Sequence, residues 1–193
     1  MDLNAFQHYS FLNSFNEANS ADLTVIGESY ISPLGLYSNA IKDVSEIKEG
    51  DTIIIPNDPT NLGRALTLLE TAGLLSVDPS VDIPTVENIL ENPKSLKIEA
   101  LDASQTARSL DDATASVING GMAVDAGLVP TEDAIYLEEL SATSKPYINV
   151  IVSRAEEKDK ELFKTIIETF TTPENAKVIK DVTKGACIPI WEL

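Results

Sequence analysis

Apolar and polar residues are arranged along this chain in stretches that predict strands and helices in turn. Extended runs rich in β-branched and aromatic residues are typical of strands, and they lie at 22–38, 52–56, 96–101, 113–119, 134–140 and 147–154. Helices are predicted at 9–18, 45–50, 61–72, 85–91, 104–110, 120–127, 158–171 and 173–183. The segment 61–72 shows the three-to-four-residue apolar spacing of a helix. Alternating strands and helices predict an α/β fold with a mostly parallel sheet.

The segment PNDPTNLGRAL, residues 56–66, overlaps the end of the apolar run TIIIP. Such a run predicts a strand buried on both faces of a sheet. The Pro, Asn and Asp residues after it predict the start of a helix, and Gly73 predicts its end. The strand ASVIN ends in the same manner at Asn119. Because α/β sheets bind ligands at the carboxyl ends of their strands, we predict a small-ligand site formed by these two loops.

Arg64 is an unusual residue for the beginning of a helix, where the helix dipole favours anions. Its helical neighbours three and four positions away are Thr60, Asn61, Thr67 and Leu68, none of which is acidic. Arg64 also lies off the apolar face of the predicted helix. The sequence therefore predicts that the guanidinium faces an anion from elsewhere, and that replacing Arg64 leaves the fold intact.

Composition narrows the classes of function. The 193 residues include 14 Lys and Arg against 31 Asp and Glu, a formal net charge of −17. This charge argues against nucleic acid or an anionic membrane surface as a partner. His8 is the single histidine and Cys187 the single cysteine, so an intrachain disulfide is excluded, and we predict no metal site, no cofactor and no catalytic residues. Cys187 is expected to be a small buried apolar residue, and no apolar run is long enough to span a membrane.

Five segments together carry a family resemblance: YISPLGLYS, PNDPTNLGRAL, ENPKSLKI, RSLDDATASVING and SKPYINVIVSR. They resemble the NlpA-type methionine-binding lipoproteins, the substrate-binding components of methionine ABC importers, and LNAFQH resembles the NAYQH-like segment of that family. The resemblance implies a type II periplasmic-binding-protein-like fold, with two α/β lobes and a ligand cleft. We place one complete lobe at 38–145 and a second lobe, N-terminally incomplete, at 1–37 plus 146–193.

The resemblance also implies partners and site residues. The partners are an amino acid, with methionine the first expectation, and the permease of an ABC transporter; the full-length form would be an extracytoplasmic lipoprotein anchored to a membrane. Arg64 matches the family arginine that holds the ligand α-carboxylate, and Asn119 matches an asparagine that binds the ligand backbone. The residues implied to line the cleft are His8, Tyr30, Tyr37 and Phe6. A structural role for His8, and core packing for the other three, are the alternatives.

Two departures from the family pattern affect these expectations. Gly121 and Met122 stand in INGGMA where the family often has a polar residue and an aromatic one, as in INTNYA. A roomier pocket would accept another amino acid or a short peptide. The chain as given also begins where the family has already had a signal peptide, a lipid-bearing cysteine and about one β-α-β unit. From this we expect the second lobe to expose a sheet edge and apolar surface, and the chain to be either rearranged or self-associated.

Two other functions compete with ligand delivery. An enzyme on the same scaffold would need a nucleophile, a base and an oxyanion site in one place, and the sequence has no GxSxG motif. A non-transporting remnant, acting as a structural or orphan binding domain, is the second alternative.

Overall fold

The computed structural model describes residues 2–140 and 142–192 of the chain. The α-helices are α1 (Tyr9–Asn19), α2 (Pro59–Thr71), α3 (Ala103–Thr106), α4 (Gly120–Asp125), α5 (Pro130–Asp133), α6 (Glu161–Phe170) and α7 (Pro173–Val182). The strands are β1 (Leu23–Ile31), β2 (Leu34–Tyr37), β3 (Thr52–Pro56), β4 (Ser76–Val77), β5 (Ile89–Glu91), β6 (Lys97–Leu101), β7 (Ala115–Asn119), β8 (Ala134–Leu137), β9 (Ile148–Arg154) and β10 (Ile188–Pro189). Short 3-10 helices lie at Val44–Glu46, Val86–Asn88, Ala142–Tyr147, Ala155–Glu157 and Ile190–Glu192.

The chain divides into two compact α/β units. Unit 2 is the continuous segment Pro33–Glu139, and unit 1 combines Met1–Ser32 with Leu140–Leu193. The sequence-based boundaries placed the continuous lobe at 38–145. The structure assigns its start earlier because β2 pairs with β7 on one side and with β8 on the other, and both are strands of unit 2.

Unit 2 contains a five-stranded sheet in the order β6-β3-β7-β2-β8. β3 runs parallel to β6 and β7, whereas β2 runs antiparallel to β7 and β8. The prediction of a mostly parallel sheet is therefore wrong for half of these pairings. An alternation of strands and helices along the sequence does not reveal the direction in which β2 is inserted between two later strands.

The core of unit 2 forms around β3, whose residues Ile53, Ile54 and Ile55 are all almost fully buried. This confirms the prediction of a strand that is covered on both faces. Leu66 and Leu69 of α2 belong to the same apolar cluster. α2 ends where Gly73 takes up a left-handed backbone conformation with φ of 73°, which a residue with a Cβ adopts only at a cost.

The helix predicted at 85–91 is wrong. Thr85 and Asn88 do form a capping box, with the Asn88 Oδ1 atom accepting from the Thr85 backbone N at 2.8 Å. However, the helical turn ends at Asn88, and β5 then pairs with β4 in a two-stranded antiparallel sheet. A genuine helix-start signal is thus overridden by a tertiary strand pairing.

Unit 1 contains a three-stranded antiparallel sheet in the order β10-β1-β9. Backbone bridges from Asn4 and His8 extend this sheet beside β9. α6 approaches β1 at Gly27, where an added Cβ would lie 2.8 Å from the Ile167 Cδ1 atom. A side chain at position 27 would therefore displace the side chain of Ile167.

In the part of the chain that the structure describes, the helices are too short or too polar to cross a bilayer.

Candidate functional site

The start of α2 is built around the Asp58 carboxylate, which caps the helix. Its Oδ1 atom accepts a hydrogen bond from the Asn61 backbone N at 3.0 Å. Pro59 occupies the first helical position, where its missing N–H costs nothing. The Asn61 side chain is held by the same carboxylate, since its Nδ2 atom lies 3.0 Å from Oδ1 and 3.1 Å from Oδ2. The NDPTN sequence thus fixes a side-chain amide as well as a helix end.

Arg64, one turn further along α2, is 5% exposed and forms a bidentate pair with Glu138 at the end of β8. The Arg64 Nε atom donates to Glu138 Oε1 at 2.9 Å, and Nη2 donates to Oε2 at 2.5 Å. The Glu138 Oε2 atom also accepts from the Leu34 backbone N at 2.9 Å. Arg64 therefore has an internal anion 74 residues away in sequence, which the helical pattern did not reveal.

Burial sets the energetic importance of this pair. Only 16% of the Glu138 side chain is exposed, so both charges have lost most of their hydration. A pair of this kind contributes little net stability as a whole, but removing one partner is costly because it strands the other charge. Glu138 takes two of the five guanidinium N–H groups, along the Nε side of the fork. The pair fixes the direction in which the remaining Nη edge points.

Asn119 is the last residue of β7, and its side-chain amide contacts the side chain of Asn61. The Asn119 Nδ2 atom donates a hydrogen bond to Asn61 Oδ1 at 3.0 Å. The Asn119 Oδ1 atom is buried, and no described residue donates a hydrogen bond to it. A buried acceptor without a donor costs about 1–3 kcal/mol, so this oxygen is a specific point at which a ligand donor would be stabilised.

These groups lie at one edge of the unit 2 sheet. Leu34 pairs directly with Asn119 across β2 and β7, and its backbone N and O both bond to Glu138. The sequence-predicted residues Arg64 and Asn119 are thereby brought to the same edge, at the carboxyl ends of β3, β7 and β8. The sequence reasoning did not find Glu138, Asn61 and Asp58. The fixed spacing of Asp58 and Asn61 within the motif was the available signal for two of them.

The first turn of α4 follows Asn119 directly and is sparsely covered. A Cβ added at Gly121 would meet no atom within 4 Å, and Met122 is 39% exposed. The backbone beside Asn119 is therefore open, and the size of the pocket at INGGMA stays a prediction.

Tyr37 lies at the other end of β2 from Leu34, and its ring is buried with Leu110, Ile118 and Ala123. Burial, and to a smaller degree the negative charge of Asp133, raise the pKa of the Tyr37 hydroxyl. The structure thus gives Tyr37 a core-packing environment, which was the alternative to its role as a ligand-lining residue.

The three remaining predicted residues, His8, Phe6 and Tyr30, belong to unit 1. His8 is buried and caps α1, with its Nδ1 atom accepting from the Phe11 backbone N at 3.0 Å. Its ring contacts Tyr147 edge-on, with 5.4 Å between centroids. Phe6 is 66% exposed, while Tyr30 is half-buried in β1 beside Pro189. His8 therefore has a structural role, whatever else it contacts.

Comparisons with known proteins agree with the α/β fold. The family model described as NlpA lipoprotein matches residues 1–191. Among curated proteins, the probable D-methionine-binding lipoprotein MetQ of Pasteurella multocida is 40% identical over 192 residues, covering 99% of this chain and 68% of its own length. The D-methionine-binding lipoprotein MetQ of Escherichia coli is 38% identical over 194 residues, covering 99% and 70%.

Solved structures give the same relationship. The substrate-binding protein of a methionine transporter from Streptococcus pneumoniae superposes with a TM-score of 0.94 at 41% identity, covering 99% of this chain and 76% of its own. A nutrient-binding protein from Burkholderia cenocepacia, solved bound to methionine, has a TM-score of 0.94 at 39% identity, covering 98% and 79%. The resemblance in the sequence is thus confirmed, as is the type II periplasmic-binding-protein-like fold class.

Proposed function

The chain belongs to the NlpA lipoprotein family, and from this premise we propose that it is the substrate-binding component of an ABC importer. Its ligand is methionine or a related amino acid or short peptide. Arg64 holds the ligand carboxylate, and the protein binds without catalysis. Because the family consists of lipoproteins, we also propose that the full-length protein is extracytoplasmic and anchored to a membrane. It would deliver its ligand to the permease of the importer.

The observation that carries the proposal is the juxtaposition of a buried guanidinium and a buried, donor-free amide oxygen at one sheet edge. Arg64 presents cationic N–H donors, and Asn119 Oδ1 presents an acceptor without a donor among the described residues. A free amino acid carries the complementary pair, a carboxylate and an ammonium on one carbon. Charge-assisted hydrogen bonds of this type are roughly twice as strong as neutral ones, so the two ends of the ligand supply both orientation and affinity.

Calorimetry tests the ligand class. L-methionine, D-methionine, other free amino acids and Gly-Met are titrated into the purified chain after denaturation and refolding to remove any retained ligand. For methionine the ceiling of about 1.5 kcal/mol per non-hydrogen atom limits the binding free energy to roughly −13 kcal/mol, which allows nanomolar affinity. We expect at least one amino acid or dipeptide to bind. Binding of sugars or metal ions alone would overturn the proposal.

We also propose that unit 1 self-associates with a second copy of the chain. β10 pairs with β1 only at Tyr30 and Ile31, and no described strand pairs with that side of β1 over Leu23–Glu28. The groove between α6 and α7 is apolar, and Leu162 and Val182 nearby are 65% and 67% exposed. An unpaired strand edge beside apolar surface favours antiparallel pairing of two identical strands.

Light scattering at low and high salt tests this association. Each copy carries a net charge of −17, so repulsion opposes the dimer and salt weakens that repulsion. We expect the dimer fraction to rise with salt concentration. Val182→Glu, on the exposed surface, should lower it. A monomer at every concentration and salt level would contradict the proposal.

A further inference from the structure

The side-chain amide of Asn119 has a direction that the protein itself imposes. An asparagine amide is nearly symmetric in shape, and its oxygen and nitrogen can exchange places unless hydrogen-bond partners distinguish them. Asn119 makes no capping bond to the backbone of α4. The direction of its amide must therefore come from side-chain partners.

The chain of partners begins at Asp58. A carboxylate only accepts hydrogen bonds, so the Asn61 group that lies 3.0 and 3.1 Å from its two oxygens must be the Nδ2 donor. The Asn61 Oδ1 atom then points the other way, and because it also only accepts, it must face the Nδ2 atom of Asn119 at 3.0 Å. The Asn119 Oδ1 atom therefore points away from this series of hydrogen bonds. It is buried, and no described residue donates a hydrogen bond to it.

The Asp58 carboxylate is held in turn by a backbone N–H, which is unable to reverse, and by a hydroxyl. It accepts from the Asn61 backbone N at 3.0 Å and from the Thr60 hydroxyl at 3.0 Å. A backbone N–H is a donor in every state of the protein. The donor and acceptor direction of every hydrogen bond from Asp58 to Asn119 is thus set by the backbone of α2.

We infer that Asp58 and Asn61 are positioning residues that hold the Asn119 amide with its oxygen toward the ligand, and so make the site select a ligand with a free α-ammonium group. The inference rests on the proposed amino-acid binding function and deepens it. If the amide turned over, its NH₂ group would face the ammonium, and donor would meet donor. Asp58 and Asn61 need not contact the ligand to have this effect.

The ratio of the affinities for two ligands reports the direction of the Asn119 amide independently of the overall strength of binding. Methionine carries an ammonium, which only donates, whereas its α-hydroxy analogue carries a hydroxyl, which donates or accepts. The native protein should bind methionine at least about tenfold more tightly than the hydroxy analogue, since a charge-assisted bond is replaced by a neutral one. N-acetylmethionine, whose nitrogen is acylated and uncharged, should bind more weakly still.

Asn61→Ala removes the side chain that links Asp58 to Asn119, while the hydrogen bond from the backbone N of residue 61 to Asp58 stays in place. The Asn119 amide can then turn over, so the affinity for methionine should fall by about tenfold or more, and that for the hydroxy analogue by less than about threefold. Asn92→Ala is the matched control. It removes another unit 2 asparagine, whose side-chain amide bonds to the Leu96 backbone N and O, and it should leave the ratio of the two affinities unchanged.

Asp58→Asn is the second variant, because asparagine is also a favoured helix cap and the helix start is retained. The substituted amide has one acceptor oxygen, which accepts more weakly than a carboxylate. The ratio of the affinity for methionine to that for the hydroxy analogue should therefore fall, though less than for Asn61→Ala. Equal loss of both ligands in the variants, or an unchanged ratio in both, would overturn the inference while leaving the proposed function intact. Failure of the native protein to bind any amino acid would instead overturn the proposed function.

Discussion

Arg64 and Glu138 are 74 positions apart in sequence and form a buried, bidentate ion pair at the edge of the unit 2 sheet. The pair answers the question of why a cation lies near the start of a helix, where the dipole disfavours it. Glu138 compensates the charge and, through its bond to the Leu34 backbone, ties α2 to β2 and β8. The guanidinium is thus oriented by the fold before any ligand arrives.

The pair changes the expectation that Arg64 can be replaced without consequence for the fold. Arg64→Met should lower the free energy of unfolding by about 3 kcal/mol, because Glu138 would be left as a largely buried charge. The double variant Arg64→Met/Glu138→Gln should cost clearly less than the sum of the two single variants. Urea unfolding of the four proteins measures this coupling.

The exposed pair Lys177–Asp181 provides a control for that cycle. Its side chains are 76% and 62% exposed, so Lys177→Met should change stability very little. Strict additivity of the Arg64 and Glu138 substitutions would mean that the two charges are not energetically coupled in solution.

The sequence predicted much of the local structure, and its failures have a common cause. The apolar run 52–56, the helix after it and the strand near 147–154 depend on local periodicity, and each is found. Three features depend on contacts between distant segments, and the sequence did not predict them. These are the pairing of Glu138 with Arg64, the antiparallel insertion of β2 and the strand Ile89–Glu91. Within the site, Arg64 carried a local signal as a cation near a helix start, and Asn119 carried one as a polar residue at a strand end. The acid that pairs with Arg64 had no such signal.

His8 provides a test of its structural role. His8→Ala should lower the stability of the protein by about 1–2 kcal/mol, since the α1 cap and the ring contacts with Phe11 and Tyr147 are lost. His8→Asn should recover the capping part of this loss, because asparagine is also a favoured cap. Thermal unfolding distinguishes the three proteins, and equal stability of the alanine and asparagine variants would argue against the cap.

The thiol of Cys187 should react slowly in the native protein. Burial raises the pKa of this thiol above its ordinary value of 9.0, with bonds to Ser32 and Thr183 acting in the opposite direction. A raised pKa in the folded state means that the thiol contributes stability below about pH 9 that is lost as the pH rises further. Thiol labelling at pH 8 should be slow until denaturant is added.

Cys187→Ala isolates that pH dependence. The fall in unfolding free energy above pH 9 should be less steep in the variant than in the native protein, because the buried thiol no longer titrates. Rapid labelling of the native chain would show that the thiol is accessible and would contradict its description as a buried apolar residue.

Gly121 should control how large a ligand the site accepts. A Cβ at this position meets no atom within 4 Å, and Gly121 lies within the helix α4. Gly121→Ala should therefore stabilise the protein by about 0.4–1 kcal/mol. Gly121→Thr should weaken the binding of Gly-Met more than that of methionine, since it narrows the space beside Asn119. Calorimetry with the two ligands checks this, and equal effects on both would place position 121 outside the ligand's reach.

The recognition of both ends of a free amino acid is tested most directly by calorimetric titration of the native chain with three ligands. These are methionine, methionine amide, which lacks the carboxylate, and the α-hydroxy analogue, which lacks the ammonium. Loss of the ligand carboxylate that faces Arg64 should weaken binding of the amide by about 100-fold. Loss of the ammonium opposite Asn119 should weaken binding of the hydroxy analogue by about tenfold. Equal affinity for methionine and its amide would contradict the assignment of Arg64 to the ligand carboxylate.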